Sequence, residues 1–142
     1  MQMRTHLLTV LSVACLSVGA CSGTATTGPP PVNISGPWRY SATQFAPTQS
    51  SMVGTLTVTG QSGVMFDGSL DAVELLPDGT SRRIFGPVHG HTLDASTLDF
   101  DVILDVSRRH VGVIQADTVA GNWLAGSATA SAAGTFRMVR SR

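Results

Sequence analysis

The chain has 142 residues, of which 42% are hydrophobic and only 13% charged, with nine Lys+Arg matched by nine Asp+Glu. A chain without net charge or a basic run offers no electrostatic footprint for nucleic acid. Lysine is absent, so every strongly basic side chain is Arg, a bias of the kind a GC-rich genome produces and one that carries no functional reading.

Residues 1–20 have the layout of a cleavable export signal. Arg4 supplies the positive start, Leu7 to Leu16 the apolar stretch, and Val18-Gly19-Ala20 a run of smaller residues before Cys21. The apolar stretch is too short to span a bilayer. Val18-Gly19-Ala20-Cys21 resembles the bacterial lipobox, which implies diacylglyceryl transfer to Cys21, cleavage before it, and acylation (palmitate being a usual chain) of the new amino group. An ordinary signal cut after Ala20 would instead leave Cys21 incidental. The mature chain keeps Cys21 as its one cysteine, because Cys15 leaves with the signal, so no internal disulfide can form. Two or more acyl chains hold a protein on a membrane stably where one does not.

Residues 21–32 read as the lipidated Cys followed by a tether. Small polar residues and Pro29-Pro30-Pro31 cannot bury apolar surface, and at roughly 3 Å per residue they could hold a domain some tens of Å from the headgroups. Asn33-Ile34-Ser35 matches the N-glycosylation pattern, which needs a eukaryotic export route that the lipobox argues against.

Residues 33–142 alternate with a period of two and sustain no helical period, which predicts an all-β domain. A first strand runs over Ile34–Gln44. Met52, Gly54, Leu56 and Val58 share one face of the second, and Gly60-Gln61-Ser62-Gly63 makes a turn. Val64, Phe66, Gly68, Leu70 and Ala72 share a face of the third, and Pro77-Asp78-Gly79 makes the next turn. A fourth strand spans Arg82 to Val88, with Pro87 marking an edge or bulge. Leu98, Phe100, Val102 and Leu104 alternate with Asp99, Asp101, Ile103 and Asp105 in the fifth. Arg108-Arg109 lies in or beside a turn, Val111 and Val113 carry the sixth strand, and Thr118–Leu124 and Thr135–Arg140 complete the set, with a small-residue loop at 125–133. Eight sequentially connected strands, with glycine at inward positions 36, 54, 68 and 121, fit an eight-stranded antiparallel up-and-down β-barrel. Alternation alone leaves a two-sheet β-sandwich open.

Ile34-Ser35-Gly36-Pro37-Trp38 resembles the G-x-W signature on the first strand of calycins, the lipocalin and avidin-like barrels. The resemblance implies a calycin-like barrel with Trp38 packed across its closed end. Val119-Ala120-Gly121-Asn122-Trp123 echoes it, which would place Trp38 and Trp123 at equivalent points of early and late strands. Gly134 to Arg140 is similar to the closing strand of avidin-like barrels and of many bacterial lipoproteins, and Gly86-Pro87-Val88-His89-Gly90 to a turn in avidins. Biotin binding is not implied, since the chain has two tryptophans and lacks the polar residues that follow the first-strand Trp in avidins.

Candidate sites are few. His89 and His91 share one side of a strand, or sit in a polar turn with Gly90 and Thr92-Leu93-Asp94; two ligands without a third assign no metal. Asp99, Asp101 and Asp105 suit a solvated outer wall, paired across strands to Arg82, Arg83, Arg108 or Arg109. No hydrolase, metalloprotease or phosphate-loop motif occurs and no cofactor is indicated, so an enzyme is not expected. Phe66, Leu70, Phe100, Val102 and Met138 are the candidate lining of a cavity for a small apolar or amphipathic ligand, although they would equally fill a solid core. The expectation is a lipoprotein of the bacterial cell envelope (at the outer membrane if Gram-negative, its domain in the periplasm or outside the cell) that binds such a ligand. The alternative is a structural or protein-interaction lipoprotein with a filled barrel. Its oligomeric state is left open.

Overall fold

The computed structural model describes residues 31–126 and 131–142. The signal at 1–20, Cys21 and nearly all of the tether lie outside the described residues. Eight strands follow one another: β1 Gly36–Ala46, β2 Ser50–Ser62, β3 Met65–Leu75, β4 Ser81–Thr92, β5 Thr97–Val102, β6 Arg108–Gln115, β7 Thr118–Gly126 and β8 Ser131–Arg140. Each pairs antiparallel with the next, and β8 pairs with β1 from Trp38↔Arg140 to Ala46↔Ala133. That last ladder closes the barrel and excludes the sandwich. Closure leaves no edge strand for a stray chain to extend.

Period-two alternation builds the interior. Trp38 and Tyr40 on β1, Met52, Leu56 and Val58 on β2, and Phe66 and Leu70 on β3 are buried, while the residues between them point outward. Each large apolar side chain removed from water contributes about 1.5–3 kcal/mol. Inward glycines let the walls come together. A Cβ at Gly54 would meet the Ala72 backbone, and one at Gly121 the backbone of Val111 and Gly112. Gly36 serves differently, because its φ of 101° needs the freedom of glycine while no neighbour lies where its Cβ would be.

Several sequence expectations are corrected. Val64 belongs to the β2–β3 turn and is exposed. β4 runs on to Thr92, so Gly90 sits within a strand. β5 ends at Val102, leaving Leu104 in the following loop. Arg108 and Arg109 open β6, where Val111 and Val113 face solvent and His110 faces inward. Much of the expected 125–133 loop is strand, leaving only 127–130 outside the described residues. The tryptophans are not equivalent. Trp38 is level with Arg140, whereas Trp123 pairs with Gly134 and so lies across β8 from Gln44, near the other end.

The two ends of the barrel differ. At the entry end, residues 32–35 cross the opening and bury Ile34. Trp38 Nε1 donates to Ile34 O at 2.8 Å, and Gln61 accepts from Ile34 N and donates to Val32 O. Arg140 lays its guanidinium 4.3 Å from the centre of the Trp38 ring and donates to the carbonyls of Ser35 and Asn33. The far end, bounded among the described residues by the β1–β2, β3–β4 and β5–β6 connections, is the mouth.

Candidate functional site

Below the mouth the barrel is solid. Phe66, Leu70, Phe100, Val102 and Met138 are all buried in one continuous core cluster, and none of them lines the cavity described below. His110 lies among them, stacked on Phe100 with ring centroids 4.4 Å apart and edge-on to Phe136 at 5.0 Å. Its Nδ1 is 2.9 Å from the Arg108 carbonyl, which can only accept. Nδ1 therefore carries the proton, and Nε2 accepts from the Tyr40 hydroxyl at 3.0 Å. Burial pushes the His110 pKa down to about 4, only partly opposed by the bond to Arg108 O. Burial likewise pushes the Tyr40 hydroxyl far above its ordinary value. Both groups are neutral at physiological pH, and they act as internal cross-braces.

At the mouth a cavity of about 760 Å³ opens between β3–β4, β5–β6 and the start of β8. Pockets that take small organic ligands run to roughly 300–1,000 Å³. Its apolar wall comes from Ile84, Leu104, Ala125 and Ala132, and its polar part from Gln44, Arg82, Arg83, Asp105, Arg108 and Ser131. Phe85 and Ile103 stand exposed at the rim.

Beneath this cavity sits Glu74, the one glutamate of the chain, with its side chain 1% exposed. Ser50 Oγ donates to Oε1 at 2.6 Å and Arg82 Nε to Oε2 at 2.7 Å. Burial acts to raise the Glu74 pKa, but the Ser50 and Arg82 bonds and the charges of Arg82 and Arg108 outweigh it, holding the carboxyl below the usual range. Arg108, 11% exposed, approaches Glu74 only to 3.9 Å. Its guanidinium stands 5.0 Å from the centre of the Trp123 ring, with one nitrogen 2.8 Å from Met52 Sδ. Burial draws the Arg108 pKa down, against the pull of Glu74.

The other expected residues lie on the outer wall. His89 is exposed, with Nδ1 2.6 Å from Asp67 Oδ1. Among the described residues no group of three metal-ligating side chains gathers around it or His91. Asp99 is buried on the outer wall under a two-pronged contact from Arg109, whose hydrogen bonds hold its carboxyl low. Arg83 grips Asp71 in the same way, while Arg82 and Arg108 turn to Glu74 and not to any of the three expected aspartates. Glu74 is the buried polar side chain of the candidate site that apolar alternation does not mark. Extending the inward series of β3 two residues past Ala72 would have found it.

No family model matches the chain, and no curated protein matches it. Solved structures do. EF1p2_mFAP2b bound to DFHBI is 17% identical, with 75% of this chain and 93% of that chain covered and a TM-score of 0.62. The redesigned β-barrel mFAP1, bound to DFHBI, is 15% identical over 75% of this chain and 94% of its own, with a TM-score of 0.58. The S-type phycobiliprotein lyase CPES from Guillardia theta is 8% identical over 77% and 89%, with a TM-score of 0.54. At these identities the likeness concerns the fold alone: a small, closed, eight-stranded antiparallel barrel.

Proposed function

We propose that this chain is a lipid-anchored protein of the bacterial cell envelope whose barrel mouth holds a small amphipathic ligand. The observation that carries the ligand reading is the cavity, with apolar walls from Ile84, Leu104, Ala125 and Ala132 and a guanidinium at its base. Binding pockets combine apolar lining with a few convergent polar groups in this way. Two barrels of the same fold hold the small ligand DFHBI, which supports a ligand role for such a mouth. The anchor rests on Val18-Gly19-Ala20-Cys21 and the apolar run before it. No catalytic step is assigned.

Both halves have direct tests. Cys21→Ser should release the folded barrel from the membrane fraction; continued retention would refute the anchor. Native mass spectrometry of protein purified from its own host should show an added small-molecule mass. Bare protein throughout would favour the second reading, a structural or interaction lipoprotein, which the solid core below the mouth supports.

A further inference from the structure

Resting on that reading of the mouth, we propose that its ligand is an amphipathic carboxylate, with the anion received by Arg108 and the apolar body lying along Ile84, Leu104 and Ala125. The hydrogen bonds of Arg108 are unbalanced. A guanidinium carries five N–H donors in a rigid fork. Among the described residues, Arg108 makes one hydrogen bond, to the thioether of Met52, a weak acceptor. Glu74, at 3.9 Å, is beyond hydrogen-bonding reach, and its two oxygens are already taken by Ser50 and Arg82. Among the described residues the other nitrogens of Arg108 are not sealed from solvent, and Arg108 lines the cavity, so they are free to meet an acceptor that enters by the mouth.

Charge points the same way. Arg82 and Arg108 share the single carboxylate of Glu74, which leaves one positive charge against the inner wall. Arg83 is matched by Asp71, and Asp105 stands on the exposed β5–β6 loop at the rim. A planar two-oxygen anion fits the fork of one guanidinium. With one cation in excess at the inner wall and the carboxylate of Asp105 in the same lining, a monoanion is favoured over a phosphate dianion. The order of the lining fixes the orientation. Arg108 has solid core beneath it, so the anion points inward and the apolar body outward, over Ile84 and Leu104 toward Phe85 and Ile103 at the rim. The Trp123 ring under the guanidinium holds it in place from the other side.

The probes are decanoate, decanol and decyltrimethylammonium, titrated calorimetrically at pH 7 into the full chain carrying Cys21→Ser, in buffer without detergent. Decanoate should bind one per chain, at least tenfold tighter than decanol, and decyltrimethylammonium should not compete with it. Arg108→Gln should weaken decanoate at least tenfold and leave decanol unchanged, while Arg39→Gln, on the exposed outer wall, should alter neither. Equal affinity for decanol and decanoate, or full decanoate affinity in Arg108→Gln, would overturn the carboxylate assignment and leave the mouth reading standing. Absence of binding by all three probes would overturn both. Should Arg108→Gln fail to fold, the decanoate-to-decanol ratio of the unmodified mouth decides, with Arg108→Lys as the second variant. Lysine keeps the charge without the fork, so it should recover only part of the preference.

Discussion

Acid should weaken this barrel through His110 in a way that can be separated from its carboxylates. In the folded chain the imidazole is walled in by Phe100, Phe136 and Tyr40, with both nitrogens engaged, and its pKa falls from 6.5 to about 4. Unfolded, it titrates at its ordinary value. A depressed folded pKa means that the unfolded state takes up the proton first. The contribution is therefore complete above pH 6.5, lost progressively as pH falls from 6.5 to 4, and unchanged below that. At 1.36 kcal/mol per pH unit the loss comes to about 3 kcal/mol. The assay is urea unfolding followed by tryptophan fluorescence at intervals from pH 7 to pH 4, on the native chain and on His110→Gln, whose amide can still accept from Tyr40. Carboxylates titrate in both, so the difference isolates His110, and the native chain should lose about 3 kcal/mol more than the variant. Parallel loss in the two proteins would refute the buried neutral imidazole. So would a His110 titration near 6.5, while a nitrogen NMR spectrum at pH 7 with the proton on Nε2 would refute the assigned tautomer.

Three further perturbations are expected to behave as follows. Glu74→Gln removes the buried carboxylate that faces Arg82 and Arg108 and should cost about 3 kcal/mol in the same unfolding assay, as breaking a buried ion pair does. Gly121→Ala places a methyl group against the Gly112 Cα and should lower stability by about 1–3 kcal/mol, enough to move the thermal midpoint by several degrees. Arg83→Ala, which breaks an ion pair exposed on the outer wall, should change stability by less than about 1 kcal/mol despite its two short contacts to Asp71.

The barrel was legible in the sequence because its inward faces are mostly apolar and its turns carry Gly, Pro and Asp. Met52, Leu56, Phe66, Leu70, Phe100 and Met138 all point where alternation puts them. The polar interior was not legible, for one reason in each case. Reading alternation as apolar-in and polar-out assigns Arg108, His110 and Glu74 to the surface, and the rule fails because each finds polar partners inside the barrel: His110 with Tyr40 and the Arg108 carbonyl, Glu74 with Ser50 and the arginines. Val111 and Val113 then stood in for the inward face of β6, shifting its reading by one residue. The Gly-x-Trp echo misled for a different reason. A local motif carries no information about stagger, and the register of β8 against its neighbours sets Trp38 and Trp123 toward opposite ends. His89 and His91 do share a face, but it is the outer one, where Asp67 meets His89. The cavity itself was invisible, because its walls come from five strands and two loops brought together only by closure.

Closure has one more consequence. Beyond the β1–β8 ladder, Ser141 N–H donates to Pro37 O, and Arg140 holds the carbonyls of Asn33 and Ser35, so the two ends of the barrel sequence meet side by side. The ring of strands thus has no privileged first member. A short linker from residue 142 to residue 33, with a cut in the β3–β4 turn near Gly79, would give a circular permutant with the same neighbours all round. Its free ends would emerge beside the mouth instead of beside Trp38. The side from which a tether leaves this barrel is set by where the ring is opened, and the two can be engineered independently.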